Sequence, residues 1–164
     1  MGKIIGLLVL IAAAVGGWFV YQNNFAPPSP AYLVYQQYAE AMAREQYDKA
    51  EGLSVGAAQG AVVALRQGMA GSDIKIYGQT LSTRPPSIAS IVGDVHSIKW
   101  TKESEAGDDS RVTLVVNETV CRIPPGVSSA LCKWPVEFRH DVEVQNEGGA
   151  WKVSSFTETR ITPL

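Results

Sequence analysis

The stretch R111-VTLVVNETV-C121 decides how this chain is read, together with W134-PVEFRHDVEV-Q145 downstream. In the first, Val112, Leu114, Val116 and Val120 alternate with polar or surface-compatible residues, and in the second Trp134, Val136, Phe138, Val142 and Val144 do the same. A period of two with β-branched residues at every other place specifies strands with one buried face. The same pattern recurs in Ile74 to Thr80, Ser90 to Thr101 and Ala150 to Arg160. Between the last four candidate strands stand Glu105-Ala106-Gly107-Asp108-Asp109, Pro124-Pro125-Gly126 and Glu147-Gly148-Gly149, which are turn-forming sequences. Short separators between consecutive strands imply an antiparallel meander.

The segment ahead of the strands has helical periodicity. Ser29 is suited to an N-cap and Pro30 to the first helical position, and Tyr35, Ala39, Met42 and Ala43 recur on one face. A helix is therefore expected from Ala31 to about Gln46. Asp48 and Glu51 have the spacing of a capping box, which predicts a break near Tyr47 and a short helix ending near Gly52. A third helix is expected from Val55 to Met69, buried through Val62, Val63, Leu65 and Met69 and weakened by Gly56, Gly60 and Gly68. Helices followed by an antiparallel meander make an α+β domain, with two or three helices packed on one face of a sheet of four to five strands.

Further towards the N-terminus, Ile4 to Tyr21 carries no charge. Eighteen residues rise roughly 27 Å as a helix, close to the ~30 Å of a hydrocarbon core, with Trp18 and Tyr21 placed at an interface. The expectation is an uncleaved transmembrane signal anchor over residues 1–21, a proline-rich linker over 22–30 and an extracytoplasmic domain over 31–164. A cleavable signal, with Lys3 as its basic end and Ala12, Ala13 and Ala14 as the cleavage region, is the competing reading. It is disfavoured because apolar sequence continues past Ala14 to Tyr21. No cysteine lies nearby to carry a lipid. Lys3 stands on one side of the segment and an uncharged flank on the other, so the positive-inside rule places the N-terminus in the cytoplasm of a bacterial cell and the domain in the periplasm or outside.

Cys121 and Cys132 are the two cysteines of the chain. In an exported domain such a pair is expected to form a disulfide, closing a loop of about a dozen residues worth roughly 3 kcal/mol. Within the anchor, Gly2 with Gly6, Ala12 with Gly16, and Ala13 with Gly17 are each four apart, a spacing that admits close approach of another membrane helix. Small residues are also simply common in membrane helices. Fourteen basic against sixteen acidic residues, with no basic stripe, argue against nucleic acid as a partner.

Two residues interrupt the apolar faces of the meander: Glu118 shares a face with Val112 to Val120, and His140 with Trp134 to Val144. One reading places both in a common pocket as an acid/base pair. The simpler expectation is that a β-bulge turns Glu118 outward and that His140 is hydrogen-bonded near the sheet rim. Asp94 and His96 are expected on a solvated edge. Tyr32, Tyr35, Tyr38 and Tyr47 either line a pocket, pack between helix and sheet, or mark a partner-facing surface. No phosphate loop, nucleophile elbow or metal-ligand spacing is present in the sequence, and no cofactor, metal or catalytic residue is expected.

The run Tyr38-Ala39-Glu40-Ala41-Met42-Ala43-Arg44-Glu45-Gln46-Tyr47-Asp48-Lys49-Ala50, with Trp151-Lys152-Val153 near the end of the chain, resembles the nuclear-transport-factor-2-like (cystatin-like) superfamily. The first run looks like that family's first helix passing into a short second one, and the second like the opening of its last strand. The resemblance spans about residues 30 to 162. It implies a curved sheet wrapped around the helices, with a pocket that some members use for catalysis and others fill. The functional expectation is a non-enzymatic, single-pass accessory or structural subunit of a larger membrane complex, such as a secretion, photosynthetic or respiratory assembly. The alternative is a small anchored enzyme or apolar-ligand-binding protein using the cavity near Glu118 and His140.

Overall fold

A computed structural model describes residues 27–67, 74–76, 79–81, 93–123 and 135–161. The expected anchor, its small-residue patches at Gly6, Ala12, Ala13, Gly16 and Gly17, and Cys132 lie outside the described residues. Among the described residues, no helix is long and apolar enough to cross a membrane.

Helix α1 spans Pro30–Ala43. Ser29 caps it in extended conformation, accepting from the Tyr32 amide at 3.1 Å, and Pro30 needs no partner for an amide it lacks. The helix ends before the expected Gln46. Glu45 turns into the left-handed region at φ 59°, and the Gln46 amide returns to the Ala41 carbonyl at 2.8 Å. Helix α2, Tyr47–Gly52, starts one residue before Asp48, with Gln46 at its N-cap and no side-chain capping bond. Asp48 therefore acts from the first turn, where a negative charge suits the helix dipole, and the expected capping box is not formed. Helix α3, Gly56–Gln67, buries Ala58 and Val62, while Val63 and Leu65 are half-buried.

The expected strand Ile74 to Thr80 is two short strands, β1 (Ile74–Ile76) and β2 (Gln79–Leu81), paired antiparallel with Ile74 opposite Leu81. Gly78 stands between them in sequence, and glycine weakens a strand interior.

The main sheet contains β3 (Asp94–Gly107), β4 (Arg111–Ile123), β5 (Val136–Glu147) and β6 (Ala150–Arg160), in that order and antiparallel throughout. The meander and the α+β class are thus as expected. Strand β3 runs past Thr101 because its turn is tighter than the sequence suggested. Asp108 Oδ1 accepts from the Ser110 amide at 2.8 Å, the Ser110 hydroxyl at 2.6 Å and the Arg111 amide at 3.0 Å. Gly107 adopts φ 144°, where a Cβ would lie 2.1 Å from the Arg111 carbonyl oxygen.

The helices cover one face of the sheet. Tyr35 and Tyr38 from α1 and Val62 from α3 pack on Leu114, Val116, Val142, Val144 and Val153, all buried. The connection between α2 and α3 is tied to edge strand β6: the Val55 amide donates to the Val153 carbonyl, and the Val153 amide to the Leu53 carbonyl, both at 2.9 Å. Register breaks put single extra residues at His96 and Glu103 on β3 and at Ser154 on β6. Both strands are sheet edges, where such bulges bend and twist the ladder, and the sheet curves over the helices.

Candidate functional site

Strand pairing fixes which side chains meet. Across the sheet, Trp100, Glu118, Phe138 and Arg160 form one row, and Lys102, Val116, His140 and Glu158 form the next row on the same face. The β4–β5 ladder runs from Arg111/Gln145 to Val120/Val136 without a register break. The expected bulge at Glu118 is therefore absent, and the outward reading of this residue is corrected. Glu118 and His140 face inward, 3% and 1% exposed.

Both line a cavity of about 420 Å³ between the helices and the sheet. Its sheet wall includes Glu118, Val120, Phe138, His140, Phe156 and Glu158. On the helix side are Tyr38, Ala39 and Met42 of α1, Tyr47 of α2, and Ala57, Ala58, Ala61 and Leu65 of α3. A cavity of this volume falls within the size range of small-molecule sites, and its few polar groups converge on one wall.

The imidazole of His140 is at the centre of that wall. Its Nδ1 is 2.7 Å from the Tyr35 hydroxyl, its Nε2 is 3.3 Å from Glu158 Oε2, and Glu118 Oε2 is 4.0 Å from Nδ1. Burial, reinforced by the Glu118 charge, pushes the Tyr35 phenol far above the ordinary tyrosine range. The Tyr35 phenol therefore stays protonated, and the two ring nitrogens of His140 are engaged by Tyr35 on one side and Glu158 on the other. Glu118 Oε2 accepts from the Trp100 indole Nε1–H at 2.7 Å. Desolvation raises the Glu118 carboxyl above its usual value, opposed by the nearby His140 and by the Trp100 hydrogen bond. Tyr38 is pushed up to about 12 by burial alone.

Around this group the rings pack edge to face. His140 and Phe156 have centroids 4.7 Å apart at 60°, and Tyr38 meets Phe156 at 5.4 Å and 64°. Arg122, also on the wall, donates from its two terminal nitrogens to the Ala43 and Gly93 carbonyls, each at 3.0 Å. Chemically the site can exchange protons, offer carboxylate acceptors to a guest, and enclose an apolar body.

The four tyrosines divide. Tyr38 and Tyr47 line the cavity, whereas Tyr32 and Tyr35 stack on one another in the core with centroids 5.9 Å apart. Asp94 and His96 are exposed. Cys121 is buried and disulfide-bonded. No group of three or more metal-ligating side chains occurs among the described residues.

Sequence reasoning missed Glu158 and Trp100. A signal existed for Glu158, because Phe156, Glu158 and Arg160 alternate along the last strand and share a face. Trp100 required the register of β3 on β4, which single-residue periodicity does not contain. Comparison with protein-family models, with curated proteins and with solved structures finds no match to this chain.

Proposed function

We propose that this chain is a membrane-anchored binding protein: a domain of the nuclear-transport-factor-2-like kind, held outside the cytoplasmic membrane by residues 1–21, that takes a compact and mostly apolar small molecule into its cavity. Three helices on a curved antiparallel sheet support the family assignment, and the disulfide at Cys121 supports an exported location.

The observation that carries the reading is the burial of Glu118 and His140 on the wall of a mostly apolar cavity. Enclosing a carboxyl group costs stability unless it is fully hydrogen-bonded, and among the described residues Glu118 has one bond, from Trp100 to Oε2. Its second oxygen is left for a guest. A fold selected for stability alone would place a valine there, as at Val116 and Val120 on either side. The role of accessory subunit draws on the small-residue patches of the anchor, outside the described residues, whereas the cavity supports the ligand reading directly.

The test is native mass spectrometry of the full chain released from its own membranes in mild detergent. A single bound mass at one-to-one stoichiometry, lost in an Ala61→Trp variant that fills the cavity, is the expected result. Recovery of fixed-stoichiometry protein partners, with no small molecule and no effect of Ala61→Trp, would replace this reading with that of a complex subunit.

A further inference from the structure

Resting on that reading, we infer that the ligand is an organic amine: an apolar body with a protonated amino group seated between Glu118 and Glu158. These two carboxylates flank His140, one beside each ring nitrogen, and both line the cavity. Among the described residues Glu118 is bonded to Trp100 through Oε2 and Glu158 to His140 through Oε2, so each has a further oxygen to offer.

Several of the surrounding donors are committed within the wall. The Trp100 indole N–H goes to Glu118, and the two ring nitrogens of His140 are engaged with the Tyr35 hydroxyl and with Glu158. Arg122, the cation of the lining, turns its terminal nitrogens to the Gly93 and Ala43 carbonyls. Arg160 shares the row of Glu118 across the sheet but is not part of the cavity wall. The wall thus sets two carboxylates beside the His140 ring and Arg122, with the Tyr38, Tyr47 and Ser155 hydroxyls along the same lining able to donate or accept. A guest that brings a positive charge can pair with both carboxylates, whereas a guest carboxylate is repelled by them.

The apolar walls fit the same guest. Tyr38, Phe138 and Phe156 lie around the carboxylates, and aromatic ring faces attract a desolvated ammonium. Ala57, Ala58 and Ala61 opposite leave room for its hydrocarbon part.

The probes are three molecules with one body: 4-phenylbutylamine, 4-phenylbutanol and 4-phenylbutanoate, titrated at pH 7 into the full chain in nanodiscs. The readout is the indole N–H resonance of Trp100, which is bonded to Glu118 and is assigned by its loss in Trp100→Phe. The amine is expected to shift this resonance with at least tenfold tighter affinity than the alcohol, and the butanoate to bind most weakly. Glu158→Gln, at a side chain 45% exposed and tolerant of change, should remove most of the amine's advantage and leave the alcohol's affinity within about twofold. Equal or tighter binding of the alcohol or the butanoate would overturn the amine assignment while leaving the cavity as a binding site. If no probe moves the Trp100 resonance, while Ala61→Trp moves it directly by filling the space, the binding reading itself fails along with the inference.

Discussion

Replacing Glu118 with Gln should make the protein more stable at neutral pH and abolish part of its pH dependence. Glu118 is 3% exposed, and desolvation raises its carboxyl above the ordinary value of 4.5. The folded state therefore holds this proton to higher pH than the unfolded state does. Stability from the group is fully present below pH 4.5 and is lost as pH rises through the folded value. Each pH unit between the two values costs the folded state about 1.4 kcal/mol once both are passed. A glutamine side chain at this position has nearly the same shape and keeps an acceptor for the Trp100 indole, so the 2.7 Å bond survives the substitution. The assay is urea denaturation of the full chain in detergent, followed by tryptophan fluorescence from pH 4 to pH 8, for wild type and Glu118→Gln. The difference in unfolding free energy should be small at the acid end and grow with pH in favour of the variant, by about 1.4 kcal/mol for each pH unit between the unfolded and folded values. Because His140 is 4.0 Å from Glu118, the same comparison in a His140→Gln background separates the carboxyl's own desolvation from its attraction to the ring. A difference that does not vary with pH, or one that favours the wild-type carboxyl at pH 8 in both backgrounds, would refute the argument that burial dominates this group.

Four further outcomes are expected. Tyr35→Phe removes the hydrogen-bond partner of His140 Nδ1 and strands a buried ring nitrogen, which should cost about 1–3 kcal/mol in the same denaturation assay. Leu114→Ala, at a fully buried position beneath the helices, should cost about 2–5 kcal/mol. Gly107→Ala should destabilise by at least about 2 kcal/mol, because the new methyl meets backbone 2.1 Å away and the backbone must shift, whereas Gly60→Ala, on an open face of α3, should stabilise by about 0.5–1 kcal/mol. Finally, Cys121 and Cys132 should alkylate under denaturing conditions after reduction and not before, as read by intact mass.

The parts of the fold that were legible are those with one strong period. Strand β4 reads Val112, Leu114, Val116, Glu118, Val120 along one face, and its observed burial alternates in step. Local chemistry also carried the start of α1, where Ser29 and Pro30 do what their side chains allow anywhere in a sequence. Errors arose where two local preferences compete. Asp48 and Glu51 fit a capping box, yet the chain reverses at Glu45 and enters α2 a residue early, so Asp48 arrives in the first turn instead of at the cap. The bulge expected at Glu118 failed for a topological reason. Bulges leave a backbone group unpaired, which an edge strand tolerates and a central strand paired on both sides does not. All three extra residues, His96, Glu103 and Ser154, fall on the outer strands β3 and β6, and β4 keeps its register on β5. A polar residue on the inner face of a central strand therefore has no inexpensive way out, and it must be accommodated where it is.

That constraint links the polar wall to the space in front of it. Ala39 and Ala43 on α1 are one turn apart, as are Ala57 and Ala61 on α3, and all four line the cavity. Leucine at these positions would fill the gap, but it would press hydrocarbon on the carboxylates of Glu118 and Glu158. The small helix faces and the buried ionisable groups thus form one arrangement, each making sense of the other. Stability alone accounts for neither, since filling the cavity and neutralising Glu118 would both strengthen the fold. Combining Ala61→Leu with Glu118→Gln is accordingly expected to raise the melting temperature above wild type while eliminating the binding proposed for the cavity, the trade expected when a site is kept at the expense of its core.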